Sequence, residues 1–227
     1  MAFQGFTQDT FLFFMEVEFH NSKLFMEQNR ARYNREVYGP LKELALGLLP
    51  DMLTIDPNFN TRLTSIISRI YRDTRFSKNK SLYRDHAWLS FKHPETRIGD
   101  TFSMYAEIEP KGYGYGMGMY SPDPAFMKGL RERILANPAR FLALAEEAKK
   151  RGFTVEGESF KRDRFPEADL ALKPYLNMKN ISFCFFSTDV KRTFRPELLD
   201  EVREGLLSLK ELYQFIVPTA RQGSEKV

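Results

Sequence analysis

The spacing of hydrophobic and polar residues changes twice along this chain, from a helical period to a strand period and back. In the first third, apolar residues recur at the three- and four-residue spacing of amphipathic helices, as in the segment that opens at Gly39-Pro40 and reaches Met52. Thr7 and Asn21 are suited to cap two earlier helices, the second of which is expected to run to about Val37. The first third is therefore predicted to be helical.

The middle third alternates in hydrophobicity or runs β-branched and aromatic, which is typical of strands. The predicted strands are Ile66 to Tyr71, Ala87 to Phe91, Thr101 to Glu109 and Gly112 to Tyr120. Helical spacing returns at 125–135 and 139–151, residues 180–187 indicate a buried strand, and a last helix begins at Pro196. Short loops between the strands favour antiparallel pairing, so we expect an α+β fold: an antiparallel sheet packed against N-terminal, central and C-terminal helices.

Composition narrows the class of protein. With 227 residues, 42% of them hydrophobic, the chain can fill one large core, and we expect a single domain over 1–217 with a flexible polar tail at 218–227. The N-terminus has neither a basic region nor a long apolar run, so we expect no signal peptide, no membrane span and a cytoplasmic location. The single cysteine, Cys184, predicts a small buried side chain and excludes an internal disulfide.

Positive charge is concentrated in one segment. Residues 69–84 hold six cations and one carboxylate, which leaves 28 basic and 29 acidic residues in the rest of the chain. The net charge of +4 therefore belongs to this segment, where a local field favours an anion. Arginine suits bidentate capture of phosphate or carboxylate, and lysine adds point charge. The predicted ligand-binding residues here are Arg69, Arg72, Arg75, Lys78, Lys80 and Tyr83.

Strand alternation limits how many of these cations can share a ligand. In a strand through 66–73, Arg69, Tyr71 and Asp73 would project to one side and Arg72 to the other. Two or three cations are then expected to meet one anion. An ion pair between Arg69 and Asp73 that orders the loop is the structural alternative.

A glycine row marks the second candidate feature. Glycine occupies every second position from Gly112 to Gly118, so one face of that strand has no side chains. A turn at Lys111-Gly112 would set Glu107 opposite Gly116 and Tyr105 opposite Gly118. A carboxylate and a phenol would then border a bare floor suited to a ligand. The alternative is that a helix or the C-terminal segment packs against the glycines.

The basic segment also resembles a known family. Residues 69–78, followed by Lys80 and Tyr83, are similar to the signature of the family catalogued as domain of unknown function 2461, as are 3–6, 21–25, 105–110 and 120–122. The chain departs from that pattern at Asn79, where the family has an acid, at Leu82, where it has proline, and at Leu24, where it often has tryptophan. The resemblance implies an α+β fold and an intracellular setting, and it brings no activity, cofactor or substrate.

The remaining candidates are few. Asn29 shares a helical stripe with Phe25 and Tyr33, which predicts either a helix-to-sheet hydrogen bond or a ligand contact. His86, Trp88, Ser90 and Lys92 would share one strand face, expected to be the face of Glu107. Three histidines without zinc-binding spacing predict no metal site, and the absence of a phosphate-loop or dinucleotide motif predicts no cofactor. The basic run 161–164 is expected to be a solvated loop.

Three hypotheses for function follow. The first is a site for a small anionic ligand in which Glu107, Tyr71 and Tyr105 line the reacting side, with Glu107 as general acid or base if the protein is an enzyme. The second is nucleic-acid binding by Arg72, Arg75, Lys78, Lys80 and Arg84, with Phe76, Tyr83 and Trp88 as stacking groups. The third is a structural or protein-interaction domain in which Arg69, Asp73 and Tyr83 satisfy buried backbone.

Overall fold

The computed structural model describes residues 2–75, 80–94 and 102–218, and its α+β fold confirms the predicted class. Predicted features at Lys78, at Phe76 and in most of the tail lie outside the described residues. The helices are α1 (Gln8–Phe19), α2 (Lys23–Tyr33), α3 (Gly39–Ile55), α4 (Leu63–Ile66), α5 (Pro124–Ala136), α6 (Pro138–Lys150), α7 (Lys173–Leu176), α8 (Leu198–Ser208) and α9 (Lys210–Ile216). The strands are β1 (Ala87–Phe91), β2 (Ser103–Glu109), β3 (Gly112–Gly118), β4 (Thr154–Glu156) and β5 (Ser182–Ser187).

Side-chain caps set where the first helices begin. The Thr7 hydroxyl accepts the Thr10 N–H at 3.3 Å, as predicted for α1. The predicted cap of α2 at Asn21 was wrong, because Ser22 takes that position and its hydroxyl accepts the Phe25 N–H at 3.1 Å. A π-helical turn, Asn34–Tyr38, joins α2 to α3, which begins at Gly39 as expected.

The five strands form one antiparallel sheet in the order β1-β2-β3-β5-β4. One face enters the core: Ala87, Leu89 and Phe91 are buried there, as expected from β1. Helix α8 packs on this face, where the Tyr113 hydroxyl donates to Glu201 Oε1 at 2.7 Å. The opposite face carries the glycine row of β3, and we call it the glycine face.

The β2–β3 register differs from the prediction by two residues. Glu109 pairs with Gly112, so the turn is Pro110-Lys111, and Glu107 lies opposite Gly114 rather than Gly116. The predicted register would have paired Pro110 within the ladder, where it has no N–H to donate. A shift of two residues leaves every side chain on its predicted face, because side chains alternate with a period of two. Tyr105, now opposite Gly116, therefore stays with Glu107 on the glycine face.

The predicted strand from Ile66 to Tyr71 was wrong. A short helix ends at Ile66, and the chain then makes only isolated bridges, Ile67 to Leu89 and Tyr71 to Tyr83. Ser68 explains the break in the ladder, because its hydroxyl rather than a backbone carbonyl accepts the Trp88 N–H at 3.0 Å. The basic segment is thus an irregular border along the edge of β1.

The other elements beyond β3 differ from the prediction in detail. The strand at 182–187 is half-buried rather than buried, and a three-residue strand, β4, pairs with it. The last predicted helix is divided into α8 and α9.

A buried carboxylate joins three distant parts of the fold. Asp56, which follows α3 and is fully buried, accepts hydrogen bonds from the Asn58 N–H at 2.9 Å, His93 Nε2 at 2.7 Å and the Tyr213 hydroxyl at 3.3 Å. Burial alone would raise the pKa of Asp56, but these partners outweigh it and hold the pKa below its ordinary value. The group thereby stabilises α3, the end of β1 and α9 together.

Replacing Asp56 with alanine should lower the free energy of unfolding at pH 7 by about 2–4 kcal/mol, because its buried donors lose their acceptor. Since the folded-state pKa is lowered, the carboxylate stabilises the fold fully above its ordinary pKa and loses this effect as pH falls through the folded-state value. Urea unfolding at pH 7 and pH 3 should therefore show a smaller difference between wild type and variant at the lower pH. Glu204→Ala, on the exposed side of α8, is the control, and an equal loss in both variants would contradict this role.

Candidate functional site

The glycine face is covered by its own neighbouring strands, not by the helix or C-terminal segment expected from the sequence. Side chains of Glu107 and Phe186 lie close to the bare position at Gly114, and a Cβ there would come within 3.2 Å of Glu107 Oε1 and 2.9 Å of the Phe185 carbonyl oxygen. At Gly116, a Cβ would overlap the Phe183 carbonyl oxygen. The glycines therefore allow β5 to approach closely and the flanking side chains to lie across β3.

Glu107 and Tyr105 form the acidic part of this face, and the structure places them in one row of β2 as predicted. Burial, followed by repulsion from the Glu109 carboxylate, raises the pKa of Glu107, while His86 opposes this shift. Glu107 accepts no hydrogen bond from the residues that the structure describes. The ionised form of the Glu107 carboxyl group therefore lacks a hydrogen-bond donor among the described residues.

Tyr105 and Cys184 interact across the bare position of Gly116. Burial, and then the Cys184 sulfur, raises the pKa of Tyr105. Burial also raises the pKa of the Cys184 thiol to about 11, although Tyr105 opposes this shift. Cys184 is half-buried rather than buried as predicted, and its raised pKa means that it is a thiol, not a nucleophilic thiolate, at neutral pH.

A cation and an imidazole stack on Trp88, which stands directly opposite Glu107 in the β1–β2 register. The Arg84 guanidinium lies 4.8 Å from the centre of the indole ring, and the His86 ring is stacked at 5.4 Å. Asp85 is 2.8 Å from His86 Nδ1. His86 and Trp88 therefore lie on the face of Glu107, as expected from strand alternation.

No carboxylate among the described residues forms a hydrogen bond or an ion pair with the Arg84 side chain. Its Nε atom is buried and has no hydrogen-bond acceptor. Burial and then the nearby positive charge of Arg72 lower the pKa of Arg84. The positive charge of Arg72 thus acts on the guanidinium group that stacks on Trp88.

Asp73 is paired within its own loop. The predicted ion pair with Arg69 was wrong: Asp73 Oδ2 lies 2.7 Å from Arg75 Nη2, and Asp73 Oδ1 accepts both Arg75 Nε and the Arg75 N–H. The Arg75 side chain and backbone N–H lower the pKa of Asp73 to about 2. Arg69 is exposed and makes no hydrogen bond or ion pair with the described part of the chain.

Tyr71 and Tyr83 form a separate cluster against α2. The Arg30 Nη2 atom donates to the Tyr71 hydroxyl at 2.9 Å, and the two tyrosine rings lie 5.2 Å apart. Within the described ranges, no hydrogen bond, ion pair or ring contact joins Tyr71 to Glu107 or Tyr105. The structure therefore does not group Tyr71 with the predicted catalytic residues, because the irregular segment turns it toward the helix.

Tyr83 is held within the fold by Asn21, a residue that the sequence pattern had indicated as a helix cap. Its side chain is 4% exposed, and its backbone is clamped by the Asn21 side chain, whose Oδ1 accepts the Tyr83 N–H and whose Nδ2 donates to the Tyr83 carbonyl, both at 2.9 Å. Asn21, rather than Asn29, thus joins the N-terminal helical region to the segment before β1. Asn29 is half-buried, and its amide donates to the Phe25 carbonyl within α2.

Of the two predicted lysines, the structure describes only Lys80. The Lys80 ammonium donates to the Thr74 carbonyl oxygen at 2.9 Å and so closes the basic loop. Lys78 lies outside the described residues. The run at 161–164 is an exposed loop, as expected, and its Arg164 guanidinium lies 3.7 Å from the centre of the Phe160 ring.

Other kinds of site are not supported within the described residues. They contain no group of three His, Cys, Asp or Glu side chains that could hold a metal ion. None of the described helices combines the length and apolar character needed to cross a membrane. A cleft of about 560 Å³ opens between α3 and α8, lined in part by Phe3, Leu46 and Leu199, and no predicted site residue borders it.

Comparison with known proteins supports the resemblance found in the sequence. The family model described as "Conserved hypothetical protein (DUF2461)" matches residues 9–215. The chain belongs to the DUF2461 family. A search of the curated proteins found no match. The matched range includes both the glycine face and the basic border of this DUF2461 protein, so the two features are parts of the family domain.

Placing a side chain on the glycine row should disrupt the sheet of the DUF2461 domain. Gly116→Ala is expected to lower the free energy of unfolding by about 1–3 kcal/mol, because its Cβ would overlap a backbone carbonyl of β5 that cannot rotate away. Chemical denaturation measures the loss. Gly129→Ala in α5 is the matched control: its Cβ meets only the end of the flexible Arg133 side chain at 3.3 Å, and helix propensity predicts a gain of up to about 1 kcal/mol. Equal effects at both sites would contradict the close approach.

The raised pKa of Glu107 predicts a gain in stability on its neutralisation. A carboxylic acid with a raised folded-state pKa stabilises the fold most when protonated, and this contribution is lost as pH rises through that pKa. Glu107→Gln should therefore raise the melting temperature at pH 8 and leave it nearly unchanged at pH 4. A melting-temperature difference that is the same at both pH values would show that the Glu107 carboxylate is well solvated.

Proposed function

We propose that this protein binds a small anionic molecule, carrying a phosphate or carboxylate group, on the glycine face beside β1. Arg84 and Arg72 would hold the anion, and Trp88 would form the adjacent wall. The observation that carries the proposal is the Arg84 guanidinium: it is stacked on Trp88, has a buried Nε without an acceptor, and lies near a second guanidinium.

Local charge supports an anion rather than a neutral ligand. Arg75 and Arg84 both act on one carboxylate, that of Asp73, and its oxygen atoms are already taken by Arg75. Two like charges at close range repel each other, and that repulsion is relieved when an anion binds between them. Guanidinium groups offer paired N–H donors that match the oxygen atoms of phosphate and carboxylate.

The position of Glu107 adds a chemical capacity to the binding site. It stands opposite Trp88, on whose ring Arg84 stacks, and its raised pKa favours the protonated carboxyl group more than in an ordinary glutamate. If the bound molecule is a substrate, Glu107 is the general acid or base. Tyr105 is the neighbouring group on the same row, and its raised pKa keeps it a neutral hydrogen-bond donor.

The single tryptophan of the chain gives a direct test. Because Trp88 is the only one, its fluorescence reports binding at this place alone. Inorganic phosphate, pyrophosphate, citrate and a short oligothymidylate should be titrated at low and moderate salt. We expect saturable binding of at least one small anion, with affinity about 10- to 100-fold lower in Arg72→Ala and Arg84→Ala, since a hydrogen bond to a charged group contributes about 1.5–3 kcal/mol.

Arg162→Ala is the matched control, because this exposed arginine lies in the other basic loop. Thermal melts provide a second measurement that does not depend on the indole, since a ligand at about 100 times its dissociation constant adds about 2.7 kcal/mol. Equal binding by the Arg84→Ala and Arg162→Ala proteins would overturn the proposal. Binding of the oligonucleotide alone, lost at moderate salt, would replace it with the nucleic-acid hypothesis.

A further inference from the structure

The cleft of about 560 Å³ between α3 and α8 lies apart from the proposed anion site, because no residue of the glycine face or the basic segment lines it. Its volume is within the range of ligand pockets in proteins, which is about 300–1,000 Å³. Most of its lining residues are small or apolar: Ala2, Phe3, Leu46, Gly47, Pro196 and Leu199. We call it the α3–α8 cleft.

A close approach of the two helices forms the floor of this cleft. A Cβ at Gly47 of α3 would lie 2.8 Å from Leu199 Cδ2 of α8, so the missing side chain leaves the space that Leu199 occupies. The segment before α1 forms one wall, where Phe3 is buried and its ring lies 5.6 Å from that of Phe6. The Phe6 N–H donates to the Thr193 carbonyl at 2.8 Å, which ties this wall to the turn before α8. Backbone and core contacts therefore hold the apolar surfaces of the cleft in place.

The charged residues that line the cleft are all acidic: Glu43 of α3, and Glu197 and Asp200 at the start of α8. Asp200 is already ion-paired with Arg203 of the same helix. Glu197 precedes the first turn of α8, where the helix dipole favours a negative charge. Glu43 lies beyond the first turn of α3, so the dipole does not account for its position. The side chains of Glu43 and Glu197 form no hydrogen bond or ion pair with the described residues.

Glu43 brings its charge to the edge of the apolar floor. It is half-buried, and it lies one helical turn before Leu46 and Gly47 on the same face of α3. A carboxylate that is partly removed from water without a donor loses hydration that nothing in the described fold replaces. Leu46, beside it, remains 45% exposed. An apolar surface next to an unpaired carboxylate is complementary to a molecule that has a positive charge at one end and an apolar body at the other.

This charge pattern also disfavours other occupants. A second copy that docked through the same face would bring its own Glu43 and Glu197 against these two carboxylates. A small anion would meet the same negative charges, and none of the residues that line the cleft is basic. Charge complementarity therefore favours an organic cation.

We infer that the α3–α8 cleft binds a small organic cation, a primary amine with an aromatic or branched aliphatic body. Its ammonium group pairs with Glu43, and Glu197 at the mouth of the cleft adds to the negative potential. Its apolar body covers Leu46 and Leu199. This site goes beyond the proposed function, because it shares no residue with the anion site and takes a ligand of opposite charge.

Three probes separate the contribution of charge from that of apolar contact: phenethylamine, its neutral counterpart 2-phenylethanol, and methylamine. Each is titrated into the full chain by isothermal titration calorimetry at pH 7, at low and moderate salt. In the wild type, phenethylamine should bind about 2- to 5-fold more tightly than 2-phenylethanol, the range expected for one added ion pair that is partly exposed. Moderate salt should reduce this preference. Methylamine should bind more weakly than phenethylamine, because it covers no apolar surface.

Two variants assign these effects to residues. Glu43→Gln should bring the preference for the amine over the alcohol to near one and leave the affinity for 2-phenylethanol unchanged, because glutamine keeps the shape of the side chain. Leu46→Ser should weaken both phenyl compounds by a similar factor. Glu204→Gln is the matched control, since this carboxylate is exposed on α8 and does not line the cleft, and it should bind all three probes as the wild type does.

The inference is overturned if phenethylamine and 2-phenylethanol bind the wild type equally well, or if Glu43→Gln and Glu204→Gln change the preference by the same factor. It is also overturned if none of the three probes shows saturable binding at millimolar concentrations. Self-association of the wild type that Leu46→Ser abolishes, measured by sedimentation, would assign the cleft to a second copy of the chain instead.

Discussion

The absence of side chains along one row of β3 is the constraint on which the glycine face depends. Neighbouring strands are about 5 Å apart, so side chains on β2 and β5 are normally separated by those of the strand between them. Here Tyr105 reaches the Cys184 thiol across Gly116, and Glu107 lies beside Gly114. The same bare positions let the backbone of β5 approach β3 closely. The glycine row of β3 thus allows close packing of the strands and lets side chains of β2 and β5 interact electrostatically.

Some cations near the basic segment are paired with other residues of the protein, and others are not. Arg75 is committed to Asp73, and Arg30 from α2 is committed to Tyr71. Arg84 remains stacked on Trp88, and the positive charge of Arg72 acts on it. The irregular course of 67–72 explains this arrangement of cations. A regular strand would have directed successive side chains to opposite faces of the sheet. A high local count of arginines therefore overstates the number that can meet one ligand.

The fold class, the two central strands and the face on which Glu107, Tyr105 and Trp88 meet could all be predicted from the sequence. The face depends on the alternation of side chains along a strand, and a register error of two residues leaves that alternation unchanged. The sequence was not sufficient for contacts between distant segments. Asn21 and Asn29 are the same residue type, and only the packing of Tyr83 against the end of α1 makes Asn21 the clamp. Likewise, Asp73 has cations on both sides in sequence, and loop geometry alone selects Arg75 over Arg69.

Elsewhere the chain satisfies its partly buried charges, which makes the exceptions on the glycine face informative. Arg32 is held by Asp9 and Glu16, and its pKa is raised by both hydrogen bonds. The buried Arg133 Nε atom also lacks an acceptor, but its Nη2 donates to the Ile216 carbonyl at 2.6 Å. Arg84 has no described side-chain hydrogen bond at all, and the carboxyl group of Glu107, on the same face, has no described donor. Each unpaired buried polar group costs about 1–3 kcal/mol. The Arg84 Nε atom beside the Trp88 ring carries a cost of this kind, which the acceptor atom of a bound ligand would remove.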